Sequence, residues 1–188
     1  PVGVRQVEVP GDLLAALAPS QTPQGVLLLC PLPERALPEK LEGRRYLVLD
    51  GVQDPGNVGT LWRTADAFGA DGMILLPGCA DPWSPKTLRA TMGACFRLPV
   101  WEGALGDLVP KLAKAGLPLY ATALREDTVD LREMDLRRCA IAIGSEGRGL
   151  TEQVLAMCDK TVRIPMQAHC ESLNAAMAAA VLLWEAYR

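Results

Sequence analysis

Residues 46–72 read YLVLDGVQDPGNVGTLWRTADAFGADG, and three kinds of local structure follow one another along them. The run 46–49 is aromatic and aliphatic, which suits a buried strand. Residues 50–56 collect Asp, Gly and Pro, the residues of a turn. After them Val58, Leu61, Trp62, Ala65 and Phe68 recur at helical spacing, with Asn57 expected as the N-cap behind Pro55 and Gly56. At 100° per residue the apolar face centres near Ala65, and Arg63 points roughly 160° away from it. Strand, loop and helix in that order form the opening unit of an α/β sheet.

The same alternation continues outward. Short apolar runs at 73–76, 118–123, 139–143 and 161–164 read as further strands, and periodic stretches at 105–115, 151–157 and 173–187 as helices. Five strands separated by helices predict an α/β fold, a parallel sheet with flanking helices. Residues 1–45 look different. Pro10, Pro19, Pro23, Pro31, Pro33 and Pro38 punctuate them, and they read as lead-in and linker to a domain at 46–188. The last helix is apolar nearly all round. Leu173, Met177, Val181 and Trp184 line one side, Ala175, Ala178, Ala179 and Leu182 another, so it must be covered on more than one face.

Composition narrows the classes. The 188 residues are 49% hydrophobic and 22% charged, ordinary values for a globular domain and far from a disordered or fibrous chain. The longest uncharged apolar run, 175–184, is too short for the roughly 20 residues that cross a bilayer. No signal-peptide pattern opens the chain, so a cytoplasmic protein is expected. The chain starts at Pro1 without a methionine, and a longer protein with an upstream RNA-binding domain is expected. Six scattered cysteines form no C-x-x-C pair, and with a single histidine, His169, no metal site is expected. The net charge of −3 argues against gripping nucleic acid by bulk electrostatics alone.

Three clusters could carry chemistry, each at a strand end, where open α/β sheets bind ligands. The first runs from Asp50 to Gly59 and on to Arg63. The second is Gly144-Ser145-Glu146-Gly147-Arg148-Gly149-Leu150, whose three glycines let backbone approach a ligand. Its G-x-x-G-x-G spacing is neither the Walker loop nor the dinucleotide fingerprint, which excludes a nicotinamide or nucleotide enzyme. The third is Ile164-Pro165-Met166, leading through His169 and Cys170 to Ser172, Leu173 and Asn174, with Ser172 expected as the cap of the last helix. Each cluster alone reads as a turn or a cap; the three in this order carry more weight.

Together the three clusters resemble the SpoU-type, TrmH-like RNA 2'-O-ribose methyltransferases of the SPOUT class. The resemblance rests on LDGVQDPGNVGTLWRTADAFGADG at 49–72, IGSEGRGL at 143–150, and IPM followed by ESLNAAMAAAV at 164–181. It implies a C-terminal trefoil knot and S-adenosyl-L-methionine as cofactor, cradled by Gly144, Ser145, Glu146, Gly147, Gly149, Ile164, Met166 and Leu173, with Thr122 beneath. It implies Arg63, Asn57, Glu146, Ser172 and Asn174 as catalytic residues, Glu146 orienting Arg63. It also implies a homodimer through the last helix, in which Arg63 of one subunit approaches the cofactor of the other. A guanidinium is a poor base, so Arg63 is expected to fork onto the substrate phosphate and orient the 2'-hydroxyl, the proton passing to phosphate or to a transiently neutral guanidine. The stretch 81–100 is closer to the ribosomal RNA members, which favours ribosomal RNA as substrate. The alternatives are a transfer RNA ribose methyltransferase and a catalytically silent RNA-binding or assembly relative. Intact Arg63, Glu146, Ser172 and Asn174 speak against the silent one.

Overall fold

Leu47 and Leu49 face one side of the first strand, Tyr46 and Val48 the other, and both sides are buried. A strand covered on two faces belongs in the middle of a sheet. In the computed structural model, which describes residues 3–20, 22–125, 128–167, 169–170 and 172–188, it is such a strand. The strands are β1 (Arg45–Asp50), β2 (Gly72–Leu75), β3 (Val100–Glu102), β4 (Leu119–Thr122), β5 (Val129–Asp130), β6 (Cys139–Gly144) and β7 (Lys160–Arg163). They pair in the order β3-β2-β1-β6-β4-β7-β5, every pair parallel. The helices are α1 (Gly11–Leu17), α2 (Pro55–Ala67), α3 (Pro85–Ala90), α4 (Leu105–Ala115), α5 (Glu152–Met157) and α6 (Ala175–Tyr187).

Two layers of helix close the sheet. Leu47, Leu49, Met73, Leu75, Ile141 and Ile143 pack with Val58, Leu61, Trp62 and Ala65 of α2 and with Ala179, Leu182 and Leu183 of α6. Tyr46, Val48, Ile74, Ala140 and Ala142 pack with Leu108 and Leu112 of α4 and Val154 of α5. The strict alternation along β1 is the pleat, with successive side chains pointing to opposite faces.

The parallel α/β expectation is met, with seven strands among the described residues in place of five. β3 and β5, three and two residues long, are too short to carry a period and are held by pairing with β2 and β7. α3 is also beyond the expectation. It fits a one-residue gap against α2, where a Cβ on Gly59 would clash with the Thr87 carbonyl and the Ala90 methyl.

The chain divides into two compact units, Pro1–Pro33 and Glu34–Arg188. The first contains α1, none of whose residues is buried. Residues 34–45, expected as linker, are part of the second unit: the Glu102 amide donates to the Arg35 carbonyl at 2.6 Å, Ala36 bridges to Glu102, and Leu41 is buried.

Two caps differ from expectation. Asp54, not Asn57, caps α2, its carboxylate accepting from the Asn57 amide at 2.9 Å. Proline suits the first helical position because its missing N–H would be unpaired there anyway, so the cap is the residue before Pro55. At the last helix Asn174 is the cap, accepting from the amides of Ala176 (3.0 Å) and Met177 (3.3 Å), and Ser172 lies outside it, exposed. Glu171, which opens ESLNAAMAAAV, lies outside the described residues.

Candidate active site

From β1 the chain winds outward to β2 and β3, then returns to build β6, β4 and β7 on β1's other side. Ligands in open α/β sheets bind over the strand ends where the winding reverses. Here that place is the paired end of β1 and β6, Asp50 opposite Gly144. Asp50 is 4% exposed, and its carboxylate accepts from the Thr151 amide at 2.6 Å. The Thr151 hydroxyl in turn caps α5, so Asp50 anchors the far end of the glycine-rich segment to β1.

That segment is a tight hairpin. Ser145 and Gly149 exchange both backbone hydrogen bonds, at 3.0 and 2.8 Å, and the Arg148 amide donates to the Ser145 hydroxyl. Gly149 has φ +68°, in the left-handed region. A Cβ on Gly144 would overlap the Gly149 carbonyl group and the Leu150 nitrogen, so the hairpin folds back only because that position is bare. Gly147 at the tip has no heavy atom near the place of a side chain.

The hairpin's next residue joins all three sequence clusters. One carboxylate oxygen of Glu146, Oε1, accepts from the Asn57 side-chain amide at 2.7 Å and from the Asn174 side-chain amide. Each asparagine is held by its own helix start, Asn57 by the Asp54 cap and Asn174 by being the cap. The Asp54 carboxyl is held below its usual range by the Asn57 amide and then by Lys86, whose ammonium lies 3.1 Å away.

On one flank of the hairpin a cleft of about 670 Å³ opens between it and the loops after β1 and β2, lined by Gly51, Gln53, Asp54, Pro77 and Gly78. On the other flank stand the ends of β4 and β7. Thr122 closes β4, its hydroxyl donating to the Ala142 carbonyl at 3.0 Å. Ile164 and Met166 follow β7 half-buried, while Ser172 and Leu173 are exposed. None of Thr122, Ile164, Met166 and Leu173 lines the cleft.

Arg63 stands apart. It is exposed on α2, and among the described residues it has no ion-pair partner. The expected Glu146–Arg63 contact is not among the ion pairs of the described residues, where Glu146 Oε1 takes the two asparagine amides instead. Asp50, Asp54 and Lys86 were not among the expected site residues. Asp54 had a signal, an acidic residue directly before Pro-Gly, and Asp50 one as a carboxylate at a strand end.

A parallel sheet with a glycine hairpin over its reversal point is the architecture of open α/β domains, the class whose ligands bind across the strand ends. Residues 44–184 match the SpoU rRNA Methylase family, and the chain belongs to it. It is 36% identical over 182 residues to the 23S rRNA (guanosine(2553)-2'-O)-methyltransferase RlmP of Bacillus subtilis (strain 168), covering 97% of this chain and 72% of that protein. An AdoMet-bound rRNA methyltransferase from Sinorhizobium meliloti superposes with a TM-score of 0.74 at 38% identity, over 81% of this chain and 60% of that one. The SpoU methyltransferase AviRb from Streptomyces viridochromogenes, in complex with AdoMet, gives 0.70 at 35% identity, over 84% and 61%. The chain thus spans about three fifths of those two solved proteins.

Proposed function

We propose that this chain is an S-adenosylmethionine-dependent RNA 2'-O-ribose methyltransferase acting on ribosomal RNA. The observation that carries the reading is the single Glu146 oxygen on which Asn57 and Asn174 converge, because it ties three distant segments into one polar centre at the strand ends. The named activity of RlmP and the AdoMet complexes of the solved relatives point the same way.

The residues present fit the cofactor. A bare Gly144 lets the hairpin fold tightly, and the open surroundings of Gly147 leave room for a ligand against backbone. Gly144, Ser145, Gly147 and Gly149 from the hairpin, Ile164 and Met166 after β7, Leu173, and Thr122 beneath would hold it, with the knot formed by the chain after the hairpin. When bound, it supplies a methyl group already activated on a sulfonium. The protein's share is positioning and removal of a proton. Arg63 forks onto the substrate phosphate and orients the ribose hydroxyl. Asn57 and Asn174 fix Glu146, and Ser172 closes the cofactor side.

Arg63 would complete the site of a second copy in a homodimer. The exposed stripe of α6 supports this. Met177 and Trp184 are 62% and 53% exposed, while Ala179 and Leu182 are buried against the protomer's own core. No helix among the described residues is long and apolar enough to cross a membrane, and a cytoplasmic enzyme is proposed.

The test is methyl transfer from labelled cofactor to ribosomal RNA, followed by mapping of the product. A methylated ribose, resistant to alkaline cleavage on its 3' side, is expected. A base-methylated product, or none with the intact protein, overturns the reading.

A further inference from the structure

Met92, Phe96 and Arg97 are exposed on a surface that the site above does not use. Phe96 is 79% exposed and Met92 70% exposed, on the turn after α3. Among the described residues Met92 is the non-glycine residue with positive φ, +49°, a conformation that costs a side-chain-bearing residue and is retained where something holds it. The stretch runs alongside α2 in the same direction. Lys86 pairs with Asp54, Gly59 abuts Thr87 and Ala90, and Arg97 pairs with Asp66 at 2.6 Å. Residues 92–96 therefore lie beside the middle of α2, where Arg63 is exposed. The Arg97 guanidinium lies near Gly93, and Arg89, exposed in the last turn of α3, has no ion-pair partner among the described residues.

An exposed ring and a thioether beside Arg63 and Arg89, exposed and without ion-pair partners among the described residues, suit single-stranded RNA, whose bases stack on aromatic faces while guanidinium groups take the phosphates. Two side chains are too little for a stable protein interface, which buries about 1,200 Å² or more. One ring suffices for one base. We propose that Phe96, carried on the Met92 turn, stacks the base next to the nucleotide whose ribose is presented to Arg63. The proposal rests on the RNA methyltransferase reading and adds to it the surface that sets down the neighbouring nucleotide.

The test measures fluorescence anisotropy of a labelled single-stranded RNA of about ten nucleotides, without cofactor, so that binding is read apart from methyl transfer. Phe96→Ala should weaken binding roughly 10-fold and Phe96→Tyr should restore it. In methyl transfer the alanine variant should raise KM and leave kcat within about threefold. Light scattering and thermal melting should match the parent chain. An RNA affinity unchanged in Phe96→Ala, or no binding by the parent, overturns the proposal. A change of oligomeric state in Phe96→Ala also overturns it and makes the patch a contact between copies. RNA binding that depends on Phe96 without methyl transfer would retire the enzymatic reading and leave the stacking surface standing.

Discussion

Asp50 carries more of the site than its place at a strand end suggests, since one of its oxygens receives the backbone N–H that starts α5. Asp50→Ala takes the acceptor away from that part-buried donor and should cost about 1 kcal/mol in urea denaturation. Asp50→Asn, which keeps an acceptor, should cost less. Arg63 is the opposite case, exposed and with no ion pair to lose among the described residues. Arg63→Lys should melt like the parent and bind cofactor equally in calorimetry, while single-turnover methyl transfer drops roughly 10²- to 10⁴-fold. A rate near the parent's would make Arg63 an ordinary surface residue. The sequence made the outward direction of Arg63 legible because helical phase alone fixes it. It could not make the shared oxygen of Glu146 legible, because Asn57 and Glu146 meet across 89 positions and no local pattern encodes that meeting.

The elements follow the same division. β1, β2, β4, β6 and β7 and the helices α2, α4, α5 and α6 were legible, because each carries a run or period of its own. β3 and β5 were not, since an edge strand of two or three residues exists only through its neighbour. The cap of α2 lies three residues before the expected Asn57, because Asn is a good cap and only the preference of Pro55 for the first turn decides for Asp54. In the glycine hairpin each bare position has its own task. Gly144→Ala puts a methyl into the Gly149 backbone, so the Ser145–Gly149 pair must open. Cofactor binding by calorimetry should be lost in that variant. Gly147→Ala, with open space around it, should retain the hairpin and serve as the control.

At the scale of the whole molecule, burial sets the response to alkali. It raises Tyr46, Cys79 and Tyr120 above their ordinary values and pushes Cys139 up to about 12. The folded state thus holds these protons more tightly than the unfolded chain does. Their stabilisation is complete below the ordinary thiol value of 9.0 and is lost as pH rises toward about 12. The melting temperature should fall over that window, and Cys139→Val should flatten the fall. Assembly is testable on α6: Val181→Asp, on the exposed stripe, should turn a dimer into a folded monomer in light scattering and abolish methyl transfer. A parent chain that is monomeric at micromolar concentration would exclude the shared site.

β1 lies at the centre of the sheet, yet its neighbour β6 leaves the ribosome only after some ninety further residues have been made. Until then one edge of a strand buried on both faces has no mate, and the polar centre at Glu146 waits longer still, for Asn174. Synthesis therefore completes the proposed site last. A C-terminally clipped chain keeps the β1–β2 pairing but lacks the Asn174 partner of Glu146, and without β6 the open flank of β1 is an unpaired strand edge of the kind that invites aggregation.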